Sequence, residues 1–382
     1  METEPAQPAA RRAYCDRWKP WQFAAAFTAA LRLLYSIYGA FWSSRLQIDP
    51  RLLRSNGFTG HLMPRSEGFL YALLGVWERF DTLWYVHIAQ YGYDRPAAIV
   101  FYPLYPLLIR AASWLIHPPL AAALAVATVA AFFSFWGLQQ LLELDYPRST
   151  AMRAVFLAGI WPASCILLAG YAESLVLAFT VWSLYFARQE RWYLAGLLGF
   201  FGGASKAVGC FVTVPLAWIG LRQRTWRCWT AGLALAPPAA FALWNRLSGF
   251  GSVNDIYPRY WAVTVRFPLV TLAHCLAKFF TGGADVLFLL NFGALVAIGC
   301  LAWKSARTDY QLYTAALILL FLTKHADPLL NETMRYVLIV FPAFLGLALV
   351  VKRPTALAML SVLLLLLQGL LLLTFFQWSL VI

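Results

Sequence analysis

Long apolar runs follow one another along almost the whole chain, and they restrict it to a bundle of helices in lipid. They fall near 21–43, 119–142, 153–170, 173–187, 192–204, 208–220, 228–247, 284–303, 309–323, 336–351 and 355–379. A helix needs about 20 apolar residues to cross a bilayer. A backbone in hydrocarbon must also satisfy its own hydrogen bonds. The expectation is an all-α, polytopic transmembrane bundle of about eleven spans, forming a single domain over 1–382. The run 99–117 carries Pro103, Pro106 and Arg110. Counting it as a span would invert every later loop, so it reads as interfacial or re-entrant.

Composition agrees. The chain is 61% hydrophobic and 12% charged, where soluble domains carry about a quarter charged residues. The net charge of +13 is scattered toward the ends of apolar runs. It therefore marks topology and excludes a nucleic-acid footprint. The six cysteines show no CxxC spacing, and nothing suggests a bound metal or cofactor. Arg11, Arg12, Arg17 and Lys19 before the first run, with no cleavage site after it, read as a signal anchor.

Orientation follows from short basic connections. Arg148/Arg153, Arg188/Arg191, Arg222/Arg224/Arg227, Lys304/Arg307 and Lys352/Arg353 recur at every second connection. With these in the cytoplasm, the unusual polar segments emerge together on the other side. They are the first extracytoplasmic loop 44–118 with its juxtamembrane helices, Tyr171–Ser174, Gly202–Lys206, the second long segment 248–283, and Lys324–Arg335.

Ionisable residues at such a face are costly and therefore functional candidates. Helical spacing puts Asp81, Trp84, Tyr85 and Ile88 on one face. A carboxylate in a partly dry site can act as a general base toward a weak nucleophile such as a sugar hydroxyl; the bland alternative pairs Asp81 with Arg79 or makes it a helix cap. Glu78 and His87 are secondary candidates. Lys206, at the apex of two short apolar helices, can neutralise a phosphate as a point charge or simply snorkel. Arg335 can grip a phosphate through its fork, with Tyr336 flanking lipid or sugar. Glu173 heads a short span, where it can complement the helix dipole or bind a sugar hydroxyl. Arg259 is a further contact candidate. No GxGxxG, P-loop or Ser-His-Asp spacing is present, which argues against nucleotide-sugar or ATP chemistry.

Several stretches resemble the PIG-V mannosyltransferase family. Phe80–Tyr85 with Ile88–Tyr93 is similar to its WDxxWY…IAxxGY signature, and Phe101–Pro106 to FFPLYP, which carries Tyr102 and Tyr105 as substrate-binding candidates. Tyr171–Leu175 resembles a Y[ST]ESL motif, and Met334–Tyr336 with Phe341-Pro342 resembles RY…FP. The resemblance runs from about 77 to 345. Phe80 stands where the family has Trp, and Lys206 where relatives tend to have Arg.

That resemblance implies a GT-C membrane glycosyltransferase, with Asp81 as base and Lys206 and Arg335 near the donor phosphate. It implies transfer of mannose from a polyprenyl-phosphate donor to an extracytoplasmic lipid or glycan acceptor; attack from the face opposite the departing phosphate predicts inversion, and the reaction calls for no redox cofactor. Ala/Leu/Arg-rich composition suggests a bacterial inner membrane. A flippase or transporter of lipid-linked sugars, or a scaffold for another transferase, are the rival readings.

Overall fold

The computed structural model describes residues 18–46, 62–305, 307–326, 329–330 and 332–379. The basic stretch read as a signal anchor (Arg11 to Arg17) lies outside the described residues, as does part of the 44–118 loop.

Each apolar run folds as helix. In chain order the helices are α1 (Pro20–Ser43), α2 (Phe69–Leu73), α3 (Asp81–Tyr91), α4 (Leu104–Ala112), α5 (Pro119–Glu143), α6 (Arg148–Gly159), α7 (Glu173–Arg188), α8 (Trp192–Ser205), α9 (Thr213–Gln223), α10 (Ala236–Leu247), α11 (Val253–Trp261), α12 (Pro268–Phe280), α13 (Val286–Trp303), α14 (Thr308–Thr323), α15 (Thr333–Tyr336), α16 (Phe341–Val350) and α17 (Pro354–Phe376). Pro opens α1, α5, α12 and α17. Its fixed φ suits a first turn whose N–H has no helical partner. β1 (Val263–Val265) and β2 (Lys324–Ala326) form an antiparallel ribbon, with Val265 opposite Lys324.

The helical bundle is as expected, while the structure supports the count of about eleven spans only in part. Among the described residues only α1, α5, α13 and α17 are long and apolar enough to cross a bilayer singly. The segments Thr333–Ile339 and Phe341–Val350 make a fifth candidate, bent by 85°. The other runs are shorter helices, such as α7, α8 and α14, or are broken. Run 153–170 ends its helix at Gly159 and continues through Trp161-Pro162 into a 3₁₀ turn, Ser164–Leu167. Pro162 has no N–H to continue the ladder. Gln368 of α17 then caps the break, donating to the Trp161 carbonyl at 3.0 Å and to Ser164 Oγ at 2.6 Å. Run 99–117 yields only the nine-residue α4, about 14 Å long at 1.5 Å per residue, too short to span.

Large apolar side chains such as Leu33 and Ile37 of α1 and Leu366 of α17 are exposed, as they are on a surface that meets lipid. Arg32, a charge within α1, is half-buried against α5. Its Nε donates to Thr128 Oγ1 at 3.1 Å and its Nη2 to the Leu124 carbonyl at 3.1 Å. These bonds explain how a mid-span cation is tolerated. α7 packs between α5 and α8 and carries the first residue of the site at its N-terminus.

Candidate active site

Four separate chain segments deliver charged groups to one small cavity. α3 begins at Asp81, directly after Phe80, whose φ of 47° lies in the left-handed region. The Phe80 ring is fixed between Phe375 and Trp378 at 5.8 and 5.4 Å. The helix ends at Gly92, φ 79° and ψ −162°, a conformation open essentially to glycine alone. One face of α3 carries Asp81 and Tyr85, which line the cavity. Trp84 packs on Phe101 at 5.4 Å and on Trp261 at 5.5 Å.

Lys206 sits in extended backbone, φ −165° and ψ 149°, between α8 and the 3₁₀ turn Ala207–Val212. The crossing is tight: a Cβ on Gly209 would lie 2.1 Å from the Gly202 carbonyl oxygen. Arg335 lies in α15, immediately before the 85° bend. Glu332 precedes it with φ 70°, and its carbonyl accepts from the N–H groups of Arg335 and Tyr336 at 3.1 Å each.

The guanidinium of Arg335 joins two acids. Its Nη2 pairs with Asp81 Oδ2, and its Nε donates to Glu173 Oε1 at 2.5 Å. Lys206 Nζ donates to the same Glu173 oxygen at 2.7 Å. The guanidinium also lies 4.6 Å from the Tyr171 ring centroid. A second unit adjoins: Lys324 Nζ pairs with Glu332 Oε2 and donates to Tyr336 Oη at 2.9 Å, while that hydroxyl donates to Glu332 at 2.6 Å. Three cations (Lys206, Lys324, Arg335) thus face three carboxylates (Asp81, Glu173, Glu332). The cluster is formally neutral.

Burial pushes the Asp81 carboxyl above its ordinary range, and the cations of Arg335 and Lys206 oppose that only in part. Asp81 has one directly bonded cation, shared with Glu173, whereas Glu173 has two. Glu332 goes the other way. Burial would raise it, but Lys324 and then Arg335 outweigh burial and hold it at about 2.

The cavity holds about 110 Å³ and is walled by Asp81, Lys206, Lys324, Glu332, Arg335 and Tyr336, with Tyr257 and Trp261 of α11 at its side. Of the residues singled out from sequence, the structure brings Asp81, Glu173, Lys206, Arg335 and Tyr336 together. Others lie apart. Tyr105 is buried and donates to the Ala123 carbonyl at 2.8 Å; Tyr102 packs on Phe241 at 4.9 Å. Arg259 is exposed, 5.4 Å from the Tyr260 ring. Glu78 and His87 line a different cavity, beside α3. There Glu78 accepts from the Met63 N–H at 2.7 Å, and His87 meets Asp94 at 2.9 Å.

Arg79 is not the partner of Asp81. It is buried and donates to the carbonyls of Phe376, Gly75 and Glu78 at 2.9–3.0 Å. Lys324, Glu332, Tyr257 and Trp261 were not picked out from sequence as site residues. A lysine, an acid and a tyrosine at 324, 332 and 336 in an apolar context were the available signal. No group of three or more metal-ligating side chains is present among the described residues.

No protein-family model matches the chain. No curated protein matches it in sequence. Among solved structures it is similar to that of the Archaeoglobus fulgidus oligosaccharyltransferase, crystallised tethered through a disulfide bond to an acceptor peptide containing the NVT sequon. Identity is 14% and the TM-score 0.45, over 92% of this chain and 55% of that one. The chain therefore spans about half the length of that structure, and a likeness this distant fixes no activity.

Proposed function

We propose that the protein is a membrane glycosyltransferase of GT-C type that moves one sugar, mannose on the PIG-V resemblance, from a polyprenyl-phosphate to an acceptor hydroxyl outside the cytoplasm. The observation that carries this reading is the Asp81–Arg335–Glu173–Lys206 network: an acid of raised basicity beside two cations fit to hold a phosphate. Arg supplies a bidentate fork for phosphate and Lys a point charge.

In the proposed step the acceptor oxygen attacks the anomeric carbon, its proton passes to Asp81, and the bond from that carbon to the phosphate oxygen breaks. Attack opposite the leaving group inverts the anomeric centre. The departing lipid phosphate gains one negative charge, which Arg335 and Lys206 stabilise more than they do the bound donor. The lipid tail has a candidate berth. Leu175, Phe179, Trp182 and Phe186 of α7, with Val126 and Val129 of α5, line an apolar groove of about 750 Å³. α7 thus carries both a phosphate-site acid, Glu173, and a wall of this groove.

The test is to incubate the purified protein in bilayer discs with radiolabelled polyprenyl-phosphate mannose and a membrane extract. The expected result is label in an acceptor, abolished in Asp81→Asn. Label transferred instead from a nucleotide sugar, or transfer surviving at full rate in Asp81→Asn, overturns the reading.

A further inference from the structure

We infer that Lys324 is a reserve cation for the donor phosphate, released by Glu332 when that phosphate enters; this deepens the donor reading above and rests on it. The fork of Arg335 is occupied by Asp81 and Glu173 at Nη2 and Nε. Lys206 is held by Glu173, whose side chain is 2% exposed. Drawing either cation off Glu173 would leave that buried carboxylate with one cationic partner instead of two, which is unfavourable.

Lys324 differs. Its acid, Glu332, is 28% exposed in its side chain, the most accessible of the three, so water can solvate it once Lys324 turns away. The reach is short. Lys206 Nζ and Lys324 Nζ lie 5.7 and 5.2 Å from the centroid of the same Tyr336 ring, and both line the cavity with Asp81 and Arg335. Tyr336 is itself stacked on Phe321 at 5.0 Å, which fixes the ring that both ammonium groups approach. The backbone of Lys324 is pinned as well, through its pairing with Val265 in the ribbon. A pinned backbone, a flexible stem and a solvent-accessible partner suit a cation that exchanges one anion for another.

The test uses the full-length protein in detergent micelles and three probes: farnesyl phosphate, farnesol and inorganic phosphate. Binding is read by tryptophan fluorescence, and folding by thermal melting. We expect Lys324→Gln to weaken farnesyl phosphate at least tenfold while leaving farnesol unchanged. Lys324→Arg should stay within about threefold of wild type, since charge is the quantity that matters. Glu332→Gln, which frees Lys324 and leaves the cluster one charge positive, should bind farnesyl phosphate more tightly. Inorganic phosphate should follow the same order at lower affinity if the headgroup alone is recognised. Wild-type affinity for farnesyl phosphate in a folded Lys324→Gln protein overturns the role of Lys324 and leaves the donor reading standing. A wild-type protein that binds farnesol as well as farnesyl phosphate overturns both.

Discussion

Arg335 and Asp81 lie 254 residues apart in the chain and form an ion pair inside one cavity. The pair holds the proposed base close to the proposed phosphate ligand. An arriving phosphate competes with Asp81 for the guanidinium, so binding the donor and freeing the base become the same event.

Replacing Asp81 by Asn preserves shape and removes the proposed base. A positioned general base contributes about 10²–10⁴-fold to a rate, so kcat for sugar transfer should fall by that order. Donor binding should persist, because Arg335 and Lys206 remain and one competing carboxylate is gone. Single-turnover transfer and a donor-binding isotherm on the same preparation separate the two effects.

Arg335 should be more sensitive than its neighbours. Its side chain is 5% exposed and serves two acids. Arg335→Leu leaves both carboxylates without it, and breaking a buried pair costs about 3–5 kcal/mol. Arg335→Lys keeps the charge but cannot serve both acids in the same geometry. The leucine variant should show a large fall in melting temperature. The lysine variant should melt near wild type and lose turnover. Equal melting of Arg335→Leu and wild type would contradict the buried bridge.

With Asp81 as the proposed base, the acid limb of the pH–rate profile should report its carboxyl. Burial raises its pKa in the folded protein, so the carboxylate is protonated, and useless as a base, at a higher pH than an ordinary aspartate. Activity should therefore be lost as pH falls through a midpoint above the usual carboxylate range. Lys206→Gln removes a charge that favours the carboxylate, and should move this midpoint further upward. A midpoint that stays put, or drops, in Lys206→Gln would show that the limb belongs to another group.

How far the site was readable from sequence differs from element to element. The helical character of the apolar runs was legible, because hydrophobic runs of this length have few alternatives in lipid. Their breaks were less so. Pro162 announces one, but the 85° bend after Ile339 has no such marker before Phe341-Pro342. Asp81, Glu173, Lys206 and Arg335 stood out as charges interrupting apolar sequence on what orientation made a single face. Their pairing was not readable, since it depends on helix rotation: Arg79, two residues from Asp81, was an equally good partner on paper, yet points to the Phe376 carbonyl. The Lys324–Glu332–Tyr336 unit depends on a three-residue ribbon too short to leave a periodic signal. Tyr102 and Tyr105 share a motif and part company in space, because α4 turns Tyr105 inward to Ala123.

Gly209 tests how Lys206 is aimed. A Cβ there would meet the Gly202 carbonyl oxygen at 2.1 Å and its carbon at 2.4 Å, backbone atoms that cannot rotate aside. Gly209→Ala must separate α8 from the turn that follows Lys206, and overpacking of this kind costs about 1–3 kcal/mol. The expected signature is a lowered melting temperature together with weaker phosphate binding. Gly232 has nothing within 4 Å of its added Cβ, and Gly232→Ala is the control that should do neither.

The apolar groove makes a separate prediction about chain length. Val129 of α5 lines it and is 56% exposed, so Val129→Trp can add bulk at the groove without unpicking the core. If the prenyl tail of the donor lies along α7, wild-type enzyme should prefer long-chain donors over short ones, because each buried methylene contributes about 0.8 kcal/mol. The Trp variant should lose that preference: KM for a long-chain donor rises, KM for a farnesyl-phosphate sugar stays near wild type, and kcat changes little because Asp81, Arg335 and Lys206 are not among the residues lining this groove. A uniform loss with both donors would instead indicate damage to the packing of α5 on α7. An unaltered long-chain preference would mean that the tail runs elsewhere on the bundle, leaving the charged cluster as the only part of the donor site that is correctly placed.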